Sequence, residues 1–173
     1  RETGCYADFT LPSAPSETQT RRINSIYYAT DDPVRPKSHD DGVAVAKSRP
    51  PSGDLMIIQG PLTLNWQRRK LGIFPKVENG EIAYHNPASR QRIRLWIDQA
   101  ISVEGAEELI FIKVHTHGAQ DRNIRALLRQ GGLARLYEEL ESICKEEGYR
   151  LHYVTAYELF QAVKAIERTH APS

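Results

Sequence analysis

The stretch Leu109-Ile110-Phe111-Ile112-Lys113-Val114-His115-Thr116-His117-Gly118 decides how the rest of the chain reads. Its first six residues are apolar except for one lysine, the composition of a strand covered on both faces. Two imidazoles and a glycine follow at once. In α/β folds the chemistry collects where parallel strands end at their C-terminal edge, so a strand that delivers histidines there makes them candidates for catalysis or metal binding. Residues i and i+2 of an extended segment share a face, which lets His115 and His117 address one ligand. Simple hydrogen bonding of the rings to loop backbone is the structural alternative, and the two-residue spacing alone does not separate the readings.

Working outward, residues 87–101 carry Ile93, Trp96, Ile97, Ala100 and Ile101 at helical spacing, with Asn86-Pro87 as a start signal. Beyond the histidines, residues 122–129 form a helix candidate stopped by Gly131-Gly132. Residues 133–147 place Leu133, Leu136, Leu140 and Ile143 on one face, with Gly148 as C-cap. Residues 151–154 read as a short strand. Thr155 and Glu158 form a capping box, and Leu159, Val163 and Ile166 supply the last helix with its buried stripe. Helix, strand, helix, strand, helix implies parallel strands joined by right-handed crossovers, and the fold class is α/β.

The first half is loop-rich. Strand candidates lie at residues 4–9, 26–29, 42–46, 55–58 and 62–64, separated by Pro-, Asp- and Ser-rich segments. Structureless stretches of that length are usually binding loops or lids. Asn79-Gly80, between residues 75–78 and 81–84, is a two-residue hairpin signal that predicts a small antiparallel insertion. No internal repeat or domain boundary is evident.

At 173 residues the chain fits one ordinary domain. Its 23 Lys plus Arg against 22 Asp plus Glu give no overall electrostatic case for nucleic acid or for anionic lipid. The basic clusters at residues 67–70 and 89–94 read first as solvated faces, with phosphate or acidic-sugar contact as the alternative. Cys5 and Cys144 form neither a disulfide framework nor a zinc-finger spacing, which fits reduced thiols and a cytoplasmic location. No apolar run approaches the ~20 residues needed to span a bilayer, so no membrane insertion is expected. The sequence opens at Arg1 on a segment resembling a domain interior, and a missing N-terminal part is expected.

With this order of elements, Phe111-Ile112-Lys113-Val114-His115-Thr116-His117-Gly118-Ala119 resembles the C-terminal motif of the polysaccharide deacetylase family, the chitooligosaccharide-deacetylase-like carbohydrate esterases. Gly4-Cys5-Tyr6-Ala7-Asp8-Phe9-Thr10-Leu11-Pro12 is similar to a mid-domain motif of that family. The loop with Asp32-Pro33, Arg35-Pro36 and Ser38-His39, and the ending at residues 151–159, resemble members acting on bacterial surface sugars. The resemblance implies the C-terminal portion of a distorted (β/α)7-type barrel and metal-dependent deacetylation of an N- or O-acetylated carbohydrate. It implies a divalent metal, usually zinc, held by an Asp and two His from N-terminal motifs that this sequence does not show. Those ligands are expected upstream of Arg1, so the isolated chain is expected to be inactive and to bind metal weakly or not at all. Asp31-Asp32 falls in a Pro-rich loop and is not taken as the missing pair.

By the same resemblance His115 is the general acid that protonates the leaving amine, a step that suits imidazole because it titrates near neutrality. His117, preceded by Thr116 where the family more often has an acidic residue, is assigned to substrate. Trp66, just past a strand, is a second substrate candidate, since an aromatic face suits a pyranose. His39 with Asp40 and Asp41 reads as a solvated turn, Trp96 as helix packing, His170 receives no role, and His85 and His152 receive little. Lys113 interrupts an apolar strand and requires a partner if it points inward. Two other functions compete: a deacetylase-like carbohydrate-binding module without catalysis, and an amidohydrolase or PHP-type hydrolase using His-x-His as metal ligands. The late position of the motif argues against the latter.

Overall fold

The computed structural model describes residues 4–11, 17, 19–53 and 55–169. Most of the loop after Thr10 and His170 therefore lie outside the described residues. The fold is mixed α/β. A four-stranded sheet has the order β1-β4-β2-β3, built from β1 (Ala7–Asp8), β2 (Ile26–Ala29), β3 (Gly42–Ala44) and β4 (Met56–Ile58). β1 runs parallel to β4, whereas β2 is antiparallel to both of its neighbours. Short apolar strands form here because both sheet faces are covered. Ile26, Tyr28, Met56 and Ile58 join Val45, Ile101, Val103, Leu159 and Val163 on one side, and Tyr27, Ala29, Ile57 and Leu11 cluster on the other.

A separate two-stranded sheet pairs β5 (Leu62–Lys70) with β6 (Phe74–Asn79). The hairpin turn is not at Asn79-Gly80. It falls at Leu71-Gly72, which take φ of 55° and 71°, and Ile73 N–H closes it on the Lys70 carbonyl at 3.3 Å. The Asn79 side chain instead accepts from Glu81 N–H at 3.0 Å.

Four helices follow the hairpin. α1 (Arg90–Ile97) is shorter than residues 87–101, because Ser89 rather than Asn86 takes the N-cap. α2 (Asp121–Ile124) continues as one wide turn over Arg125–Arg129. α3 (Gly132–Glu147) ends on Gly148 at φ 75°, as its sequence predicts. α4 (Ala156–Arg168) opens on Thr155 with both hydrogen bonds of the capping box. α1, α3 and the turn at Leu127 share a second core of Ile93, Trp96, Ile97, Leu136 and Ile143, while α4 packs on the sheet.

Two predicted strands form no ladder. Residues 151–154 run to α4 without pairing, and residues 109–114 are held by single hydrogen bonds: Leu109 to Ala106 at 3.1 Å and Phe111 to Ile101 at 2.7 Å. The parallel crossovers expected of the second half are thus reduced to isolated parallel bridges, Glu81 with His115 and Ala46 with Glu104. Among the described residues no helix is long and apolar enough to cross a membrane. Cys5 and Cys144 are both free.

Candidate functional site

Residues 113–115 pass through a slot made by two glycines. A Cβ on Gly80 would stand 2.6 Å from the Lys113 carbonyl oxygen and 3.3 Å from Val114 Cα; one on Gly60 would stand 2.7 Å from the same oxygen. No side chain fits there, so both positions need glycine for close approach rather than for a turn. His115 is then fixed by its backbone. Its N–H donates to the Gly80 carbonyl at 2.9 Å, and its own carbonyl accepts from Ile82 N–H at 2.8 Å.

The 79–87 segment that holds His115 is itself tied to α1 by a buried guanidinium. Arg92 donates to Glu78 Oε1 at 2.7 Å and to the carbonyls of Asn86, Glu81, Pro87 and Asn79 at 2.6, 2.6, 2.9 and 3.2 Å. Both partners of this ion pair are fully buried. The cluster at residues 89–94 is therefore only partly a solvated face. Arg90 and Arg94 meet Glu139, Glu146 and Glu147 of α3 near the surface, while Arg92 lies in the core because Glu78 neutralises it and four carbonyls satisfy it.

Around the half-buried His115 ring stand Lys113, Glu81 and His117. Burial, followed by the positive Lys113, holds its pKa below 6.5, with Glu81 opposing and His117 reinforcing the shift. His117 is exposed, and the two rings meet edge to face with centroids 6.3 Å apart. Sequence spacing thus correctly brings the imidazoles together, one sheltered and one open.

Lys113 finds its partners inside the described chain. Its ammonium donates to the carbonyls of Phe9 and Leu11, each at 2.6 Å, and burial lowers its pKa to about 8 against the opposing charge of Asp8. Asp8 ends β1, where Oδ1 accepts from both the N–H and the Oγ1 of Thr10 at 2.7 Å. The N-terminal motif and the His-bearing segment therefore meet through Lys113. Asp8 and Glu81 carry no role on sequence grounds; the signal for Asp8 was its position two residues before a hydroxyl at a strand end.

The remaining candidates lie apart from this group. Trp66 is exposed on β5, and among the described residues no hydrogen bond or ring contact joins it to either imidazole. Trp96 is buried and donates to the Asn79 carbonyl at 3.0 Å. His39 sits in a 3-10 turn, Ser38–Asp40, where Asp40 faces Arg21 and Lys37, and Asp41 pairs with Arg35. Clefts of about 470 and 410 Å³, lined by Ser48, Lys164 and Glu167 and by Arg90, Arg135 and Glu139, do not include His115.

A catalytic zinc needs three protein ligands. Among the described residues no three His, Cys, Asp or Glu side chains are grouped to hold a metal, so those present do not fit the zinc site of a deacetylase. What the group offers is acid–base chemistry: a sheltered imidazole, a second imidazole open to solvent, and a buried ammonium. Compared with known proteins, the chain matches no family model, no curated protein and no solved structure.

Proposed function

We propose that this chain supplies the proton-donating edge of a carbohydrate deacetylase, as the C-terminal portion of a distorted (β/α)7-type barrel in a cytoplasmic protein. The observation that carries this reading is His115: a half-buried ring at the end of an extended apolar segment, beside Lys113 and Glu81 and facing an open second imidazole. Water attacks the acetyl carbon, and a protonated ring nitrogen of His115 passes its proton to the sugar nitrogen as the C–N bond breaks, releasing acetate and a free amine. A lowered pKa makes the imidazolium a stronger acid, and the ring becomes charged by taking up the proton shed by the attacking water. His117, being exposed, contacts the substrate. A divalent metal belongs to this reading only as a group held by residues other than those described, and the steps assigned to His115 and His117 do not pass through it.

Acetate release from N-acetylglucosamine oligomers, measured on the natural polypeptide that carries this chain, tests the proposal. His115→Gln is expected to lower kcat by ~10²- to 10⁴-fold with little change in KM. An unchanged rate overturns the assignment. Oligomer-induced shifts of the two imidazole resonances without any acetate release would instead favour a binding module that has lost catalysis.

A further inference from the structure

The β5–β6 hairpin is built inside out. Its inner face buries Asn65 and Glu78, the latter against Arg92, whereas Leu64 and Val77, paired across the strands, and Trp66, two residues along, stand on the other face. Trp66 on that outer face is 60 % exposed, and at the turn end of the hairpin Leu71 is 83 %, Ile73 69 % and Phe74, on the face of β6 that carries Lys76, 62 % exposed. Scattered apolar residues on a surface need no explanation, but three exposed ones within the four residues of one hairpin turn, Leu71, Ile73 and Phe74, do. Leu71 also holds a left-handed φ of 55°, a conformation that disfavours a side chain and here presents one outward.

Charge narrows the choice of what covers this tip. Residues 62–77 contain Arg68, Arg69, Lys70 and Lys76 and no Asp or Glu, and among the described residues no carboxylate forms an ion pair with any of the four. Arg68 and Lys76 both turn to the Asn86 side-chain oxygen, at 3.5 and 2.8 Å, and Arg69 to the Trp66 carbonyl at 3.1 Å. The near-neutral balance of the whole chain conceals this local segregation. A soluble anionic polymer would be met by the cations but would leave Leu71, Ile73 and Phe74 in water. An anionic bilayer satisfies both: aliphatic and aromatic side chains enter the headgroup–acyl boundary, Trp sits at its level, and Arg and Lys meet lipid phosphates.

We propose that the 62–77 hairpin docks the protein peripherally on an anionic lipid surface, Leu71, Ile73 and Phe74 entering the interface and Arg68, Arg69 and Lys70 contacting headgroups. This inference does not depend on the deacetylase reading. Vesicles of phosphatidylcholine with and without about one third phosphatidylglycerol test it by flotation and by tryptophan emission. Because Trp66 is exposed and Trp96 buried, a blue shift and loss of acrylamide quenching on vesicle addition report the hairpin directly.

Binding is expected to the anionic vesicles and to weaken with salt. Replacing Arg68, Arg69 and Lys70 together by Gln is expected to lower the partition coefficient roughly 100-fold. The pair Leu71→Ser and Phe74→Ser is expected to abolish the Trp66 shift while far-UV circular dichroism is unchanged. No partition at physiological salt, or equal partition to neutral vesicles, overturns the proposal. So does a concentration-dependent dimer that the Ser pair dissociates while vesicles leave Trp66 unaltered, which would assign the face to a second copy of this chain.

Discussion

Lys113 is the charged neighbour that, after burial, does most to hold the His115 pKa down. Its charge adds to burial in lowering the His115 pKa, and its own pKa falls to about 8 because only two carbonyls and the nearby Asp8 offset its desolvation. Below pH 8 the ammonium is charged in both folded and unfolded chains, and its burial penalty is fully present. Between about 8 and 10.5 the unfolded chain binds more protons, so this group makes stability rise with pH. Lys113→Met is therefore expected to move the His115 titration midpoint upward, and the wild-type protein should gain stability relative to this variant between pH 8 and 10.5. Imidazole C2–H shifts and urea unfolding across that range are the measurements; an unmoved midpoint would contradict the arrangement. The sequence made Lys113 conspicuous as a charge in an apolar run, but its partners Phe9 and Leu11 lie a hundred residues away and offer only backbone, which no side-chain pattern discloses.

Individual elements were legible where their signals are local. The capping box at Thr155, the glycine stop at Gly148 and the apolar stripes of α3 and α4 depend on neighbours within a turn or two. Signals that depend on distant backbone misled. Asn79-Gly80 carries a strong turn preference, yet Gly80 is committed to the approach of residues 113–114, and the turn goes to Leu71-Gly72. The apolar run at 109–114 has strand composition but only single hydrogen bonds to the neighbouring segments, so it stays extended without a ladder. Arg92 looked like one of several exposed cations because its burial rests on Glu78, fourteen positions earlier. Gly80→Ala tests the slot. With its Cβ 2.6 Å from a carbonyl oxygen, the variant must displace residues 113–115, and hydrogen exchange at the His115 and Ile82 amides is expected to accelerate while α4 amides keep their protection. Unaltered exchange at both amides would mean the slot yields.

At the scale of the whole molecule, the sheet and the last helix form one unit. Leu159 and Val163 of α4 fill the same core as Ile26, Met56 and Ile58. A polar clasp reinforces it. Tyr28 donates to Glu167 Oε2 at 3.1 Å, Lys164 donates to the Tyr28 hydroxyl at 2.8 Å and pairs with Glu167, and Ser48 N–H donates to the Glu167 carbonyl at 3.1 Å. Leu159→Ala is expected to cost about 2–5 kcal/mol and to lower the urea midpoint equally by helix dichroism and by tyrosine emission, since the two report one transition. Separate midpoints would show that the helix detaches before the sheet.

The clasp joins positions 139 residues apart, and this has a consequence during translation. β2 and β4 leave the ribosome about a hundred codons or more before the helix that shields their apolar side. Until Leu159 and Val163 emerge, Ile26, Met56 and Ile58 have only Val45, Ile101, Val103 and Ala106 to pack against, and part of that apolar side stays open to water. Closure of this core therefore waits for α4, however early its strands are made.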